Sequence, residues 1–190
     1  MKTNLLYLTL ISVVLFFSGC SLKGTYQPDY ITKQINPHLL KVQDTEVNIM
    51  VQKKSLSKHP TSMRAKMSSI DMDLGDINRN VSYQFFKQYF NKVNFKKSNK
   101  GIYIESDVLD YDYAYNAFTD GANLKFTLKV TVYIDGIKKF TKIYKSENSN
   151  QILFKLAILS GIDNEVVELF HKQLLHVYET QVKKDIIAVI

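Results

Sequence analysis

Hydrophobic and polar positions alternate most cleanly in NLKFTLKVTVYI. Leu124, Phe126, Leu128, Val130, Val132 and Ile134 fall on one side, and Lys125, Thr127, Lys129, Thr131 and Tyr133 on the other. A period of two with a single apolar face predicts a strand of an antiparallel sheet whose second face is wet. Asp135-Gly136, which follows, is a hairpin signal. A two-residue loop there pairs Ile134 with Ile137 and Val132 with Lys139, and so puts Lys139 and Thr141 on the core face. A three-residue loop, with a bulge at or after Gly136, pairs Val132 with Phe140 and Leu128 with Tyr144. Burial of Phe140 and Tyr144 favours the longer loop.

The same alternation runs through GIYIESDVLDYDYAYNAF, but it changes phase. Ile102, Ile104, Ser106 and Val108 give way to Leu109, Tyr111, Tyr113 and Tyr115. A one-residue phase change predicts a bulge near Val108-Leu109. EVNIMVQ, residues 46–52, reads as the first strand, and Phe95 ends a further short one. Between them Ile77, Val81, Phe85 and Tyr89 recur every four residues, with Phe86, Phe90 and Val93 beside them. That wide stripe predicts a helix packed on a sheet, capped at Gly75-Asp76. A second helix carries Val166, Val167, Phe170, Leu174, Val177 and Tyr178, after a staple and cap at Ile162-Asp163. DIIAVI, at 185–190, is a final strand or a hydrophobic tail.

Two stretches lack a period. Residues 53–74 read as a long loop. Its Met63, Met67 and Met72 either face a partner or patch the core edge. QILFKLAILSG, residues 151–161, is too short to span a bilayer. It is either a segment packed under the sheet or an exposed interaction patch, with Leu153, Phe154 and Leu156 as its contacts. The element order predicts one α+β domain over 45–190. Its architecture is a two-layer sandwich: an antiparallel sheet of about four to five strands with two long helices on one face.

The start of the chain has a different character. Met1 and Lys2 precede an apolar run from Leu5 to Phe17, then the small residues Ser18 and Gly19. This is the layout of a secretory signal peptide, and the run is short for a transmembrane helix. Cys20 is the single cysteine, so no disulfide forms within the chain, and a lone thiol is a poor metal site. Phe17-Ser18-Gly19-Cys20 resembles the lipobox of bacterial lipoproteins, with Phe17 where leucine is usual. The resemblance implies that residues 1–19 are a cleaved lipoprotein signal peptide. Cys20 then becomes the lipidated first residue, carrying enough acyl chains for stable anchoring. Ser21 after the cysteine, rather than aspartate, implies the outer membrane of a Gram-negative cell, with the periplasmic face preferred over the surface. Residues 20–44, with Gly24, Pro28 and Pro37, read as the lipidated cysteine and a linker.

Charge adds little. The formal net charge is +7 with two arginines, Arg64 and Arg79, and the lysines are spread along the chain. A solvated lysine surface, or attraction to an anionic envelope surface, accounts for this better than nucleic-acid binding. No HExxH, GxSxG, Walker or dinucleotide motif is present, so no catalytic set, metal or cofactor is expected. His171 and His176 are five apart on a helix, about 140° around its axis, and read as solvated. Asp107, Asp110 and Asp112 interleave with Tyr111, Tyr113 and Tyr115. Carboxylates suit calcium and tyrosines suit sugar stacking. Alternation gives a plainer account, with the tyrosines on one face and Asp110 and Asp112 on the other.

The expected function is a non-enzymatic, lipid-anchored accessory subunit of a larger envelope complex. Its expected partners are the membrane, through N-terminal acyl chains, and an envelope protein. The order strand, helix, strands, helix is similar to small outer-membrane lipoproteins of the YajG type and to auxiliary lipoproteins of ABC-type lipid transport systems. Candidate contact surfaces are the Met63–Met72 loop, residues 151–161 and the 186–190 tail. The alternative is a surface-exposed, adhesin-like or glycan-binding lipoprotein that uses the Asp110–Tyr115 strand and the lysine face.

Overall fold

A computed structural model describes residues 20–23, 43–59, 68–116, 121–146 and 162–190. Four strands come first: β1 Cys20–Lys23, β2 Gln43–Met50, β3 Ser55–Lys58 and β4 Ser68–Asp73. Helix α1 Leu74–Lys87 follows, then β5 Phe90–Asn94, β6 Ile102–Asn116, β7 Gly121–Ile134 and β8 Ile137–Lys145. A last helical stretch comprises α2 Ile162–Val177, a widened π turn Tyr178–Val182 and α3 Lys183–Ile187.

The architecture is α+β. The main sheet has the order β5-β2-β6-β7-β8. It is mixed rather than purely antiparallel, because β2 runs parallel to both β5 and β6. Alternation fixes which face of a strand is buried and leaves its direction open. Direction comes from α1, which carries the chain back so that β5 re-enters beside β2, as in any strand–helix–strand crossover. A second sheet, β1-β4-β3, pairs β1 parallel and β3 antiparallel to β4. It corrects the expectation of a loop over 53–74. β3 and β4 are too short and too rich in Ser, Lys and Asp to show a period.

Both local irregularities in the sheet follow from burial. The β6–β7 register shifts between Val108 and Asp110, so Leu109 is the extra residue and Tyr111 returns to the core face. In the hairpin Ile134 faces Ile137, so the turn itself has two residues, Asp135 and Gly136. Both have positive φ, 51° and 77°, as a tight primed turn requires. The register then shifts between Val132 and Tyr133, which leaves Val132 opposite Phe140 and Leu128 opposite Tyr144. The bulge thus delivers the register expected from a longer loop.

Helix α1 starts earlier than its cap motif suggested. Asp73 is the cap, and its Oδ1 accepts the Asp76 N–H at 3.1 Å. The helix also stops earlier, and Phe90 and Val93 of the apparent stripe belong to β5. A Cβ on Gly75 would lie 2.7 Å from the Gln52 carbonyl oxygen, so only glycine lets α1 start against the β2–β3 link. DIIAVI is neither strand nor loose tail: Asp185–Ile187 close α3. Asp185 accepts hydrogen bonds from Tyr144 at 2.7 Å and Lys142 at 2.8 Å, tying α3 to β8. These donors hold its carboxyl below the usual range.

The core lies between the main sheet and the helices. Val47, Ile49, Ile104, Leu124, Leu128, Val130 and Val132 from the sheet meet Ile77, Val81, Phe86, Phe170, Leu174 and Tyr178. Inside it sits a polar cluster. Asn78 Nδ2 donates to the Ser106 carbonyl at 2.9 Å, and the Tyr178 hydroxyl donates to Asn78 Oδ1 at 2.9 Å. Tyr178 and Ser106 oxygens are 2.5 Å apart. All three side chains are fully buried, so the cluster joins α1, β6 and the π turn through mutually satisfied groups.

Candidate functional site

The expected ligand strand is largely committed elsewhere. Tyr111 and Tyr113 are 1 % and 3 % exposed. The Tyr111 hydroxyl donates to the Ile70 carbonyl at 2.6 Å, which locks the small sheet onto the main one. Burial raises the Tyr113 hydroxyl to about 12. Neither ring has a face left for a sugar, which corrects the stacking role. Tyr115 lies in β6, and its side chain is outside the described part. Asp110 and Asp112 do point outward, as alternation required, but Lys58 lies between them, at 2.8 and 3.2 Å. A bound ammonium occupies the position a calcium ion needs. Asp107 accepts the Gln52 N–H at 3.1 Å, and burial raises its carboxyl. Among the described residues no three metal-binding side chains cluster.

The partner-contact residues divide. Met72 is fully buried in β4 and packs the core, which corrects its proposed contact role. Met63, Met67, Leu153, Phe154 and Leu156 lie outside the described residues, as do residues 1–19. Cys20 heads β1, opposite Ser68 of β4. Ser21–Lys23 of the expected linker therefore belong to a strand, and β2 begins at Gln43.

The outer face of the main sheet is polar. The Tyr103 and Tyr133 hydroxyls both donate to the Glu105 carboxylate, at 3.2 and 3.4 Å. Burial and that carboxylate push Tyr103 up to about 12. Glu46 takes Lys92 and Lys96 at 3.3 and 3.6 Å. These pairs are exposed and screened by solvent, so they add little to stability.

One concave feature escaped the sequence reading. The C-terminal end of α1, the start of β5 and α3 enclose an apolar cleft of about 100 Å³, lined by Phe85, Phe86, Tyr89, Phe90, Ile186 and Ile187, with Ile190 at its edge. Lys183 is the single charged residue in its wall; its Nζ sits 5.0 Å over the Tyr89 ring. Ile187 is 61 % exposed. The sequence signal was a surplus: Phe90 and DIIAVI carry more apolar surface than two ordinary element ends need.

His171 was expected in solvent and is buried, whereas His176 is exposed. It lies between the core positions Phe170 and Leu174 on α2, so the apolar face is wider than the stripe implied. Burial lowers its imidazole to about 4. Its folded-state value lies below the unfolded value of about 6.5, so protonation favours the unfolded chain. Stability is expected to fall by about 2 kcal/mol between pH 7 and pH 5 through this group. Urea titrations across that range check it: His171→Gln should flatten the slope, and an unchanged slope would assign it elsewhere.

Among the described residues no helix is long and apolar enough to cross a membrane. No family model and no curated protein matches the chain. Solved structures similar in shape include three from Gram-negative bacteria. XCC0632 from Xanthomonas campestris, described as DUF330, is 12 % identical with a TM-score of 0.47, over 83 % of this chain and 90 % of that one. A minor lipoprotein from Acinetobacter baumannii is 11 % identical with a TM-score of 0.42, over 75 % and 91 %. Lipoprotein GNA1162 from Neisseria meningitidis is 9 % identical with a TM-score of 0.31, over 69 % and 98 %.

Proposed function

We propose that the protein is a non-enzymatic lipoprotein of the bacterial cell envelope, anchored through Cys20 in the outer membrane. There it serves as an accessory subunit of a larger envelope assembly. The observation that carries the reading is the sequence Phe17-Ser18-Gly19-Cys20 after the apolar run, with β1 starting at its cysteine. Lipid on Cys20 would attach to a strand end of the small sheet, so the domain would sit close to the bilayer in one orientation. Tyrosine burial and the Lys58 ion pairs count against the glycan-binding alternative.

Cys20→Ala tests the reading. The wild-type chain should incorporate labelled palmitate, fractionate with the outer membrane, and bring down one stoichiometric partner complex from gently solubilised envelopes. The variant should lose the label and the membrane fraction. Retained palmitate in the variant would remove Cys20 as the anchor. A lipidated wild-type chain with no partner would remove the accessory role.

A further inference from the structure

We propose that the cleft between α1, β5 and α3 binds the hydrocarbon chain of a single-chain anionic amphiphile, with its head group on Lys183. Three observations carry this. The wall is built from four aromatic rings and isoleucines, and its polar side-chain groups are the Tyr89 hydroxyl and the Lys183 ammonium. Its space, about 100 Å³, is of the order of the dry apolar cavity of about 150 Å³ that takes a benzene-sized hydrocarbon. It is partly open, so a chain can enter end-on and leave its polar end at the rim.

The rim supplies the charge. Lys183 Nζ is held over Tyr89, and no described carboxylate lies within ion-pair distance of it. Asp185, two residues on, is taken by Lys142 and Tyr144. A cation beside an apolar slot, with Asp185 on its own helix already engaged, selects a negative head group over a neutral or positive one.

The site also has a definite place in the fold. Helix α1 runs from β4, the neighbour of β1, back to the start of β5, and spans about 20 Å. The cleft is at the β5 end and Cys20 at the β4 end. The cleft therefore lies at the end of α1 away from Cys20. The site belongs to the domain itself and stands whether or not Cys20 carries lipid.

The test uses the full chain in phosphatidylcholine vesicles and a dodecanoate probe with a tail diazirine. Photolabelling should map to Tyr89, Phe90 and residues 186–190. Sodium dodecanoate should compete at least tenfold better than dodecyltrimethylammonium. Lys183→Glu should cut labelling about tenfold, and Ile187→Glu, at an exposed position, should do the same. A dodecyl phosphate competitor separates the two sources of such a ligand. Stronger competition than dodecanoate assigns a lipid-like phosphate head, and weaker competition a fatty acid. Labels spread over the surface, labels gathered near Cys20, or equal competition by the cationic amphiphile would each overturn the proposal.

Discussion

Phe170→Ala is expected to destabilise the domain by about 4 kcal/mol. Phe170 is fully buried. Its ring lies 5.0 Å from Phe126 and meets Tyr111 edge-on at 6.3 Å. It is thus the point where α2 seats on β6 and β7. Truncation removes the transfer energy of a buried ring, those two aromatic contacts, and the packing of a site walled by strands that cannot close in. For a domain of this size the melting temperature should drop by roughly 10 °C. Phe170→Leu, which keeps most of the volume, should cost well under half as much. Urea denaturation of both variants measures it. A loss below about 1 kcal/mol for alanine would mean that α2 does not rest on the sheet as described.

Asn78→Leu is expected to cost about 3 kcal/mol, although leucine is apolar, similar in size and a better helix former. The reason is what it leaves behind. The Ser106 carbonyl loses its Nδ2 donor and the Tyr178 hydroxyl loses its acceptor. Neither can reach water, because Ser106 and Tyr178 are fully buried. The closely paired Ser106 and Tyr178 hydroxyls keep each other, which sets the upper bound. Tyr178→Phe in the same background should cost less than it does alone, since its best acceptor is already gone. A double-mutant cycle reads this directly, and strict additivity would show that the three groups do not act as a unit.

How much of this was legible depends on the kind of signal. Where one face of an element is buried, the sequence carries it. The phase change at Val108-Leu109 located the bulge that turns Tyr111 inward, and the need to bury Phe140 and Tyr144 predicted the β7–β8 register. Three things were not legible. The direction of β2 depends on where α1 returns the chain, which no local pattern records. β3 and β4 form because Tyr111 and the β2–β3 link reach them, a tertiary cause acting on polar sequences. The cleft needs Phe90 and Ile186 side by side, residues far apart in the chain that only the fold brings together. The ligand strand misled for a related reason. Tyrosines alternating with aspartates suit a binding surface and a sheet edge equally, and burial of the rings decides between them.

The parallel placement of β2 has a consequence for how the chain assembles as it is made. Val47 pairs with Val93 on one side and with Ile102 on the other. The strand at the middle of one half of the sheet is thus synthesised well before either of its neighbours. Until β5 and β6 exist, its backbone donors and acceptors are open along both edges, and Val47 and Ile49 have no layer to cover them. Strands β6, β7 and β8 face no such delay, because each pairs with a strand directly next to it in the chain. Loop closure over long stretches is the slow part of building a sheet. In this chain that wait falls on β2, the stretch most in need of shielding between synthesis and burial.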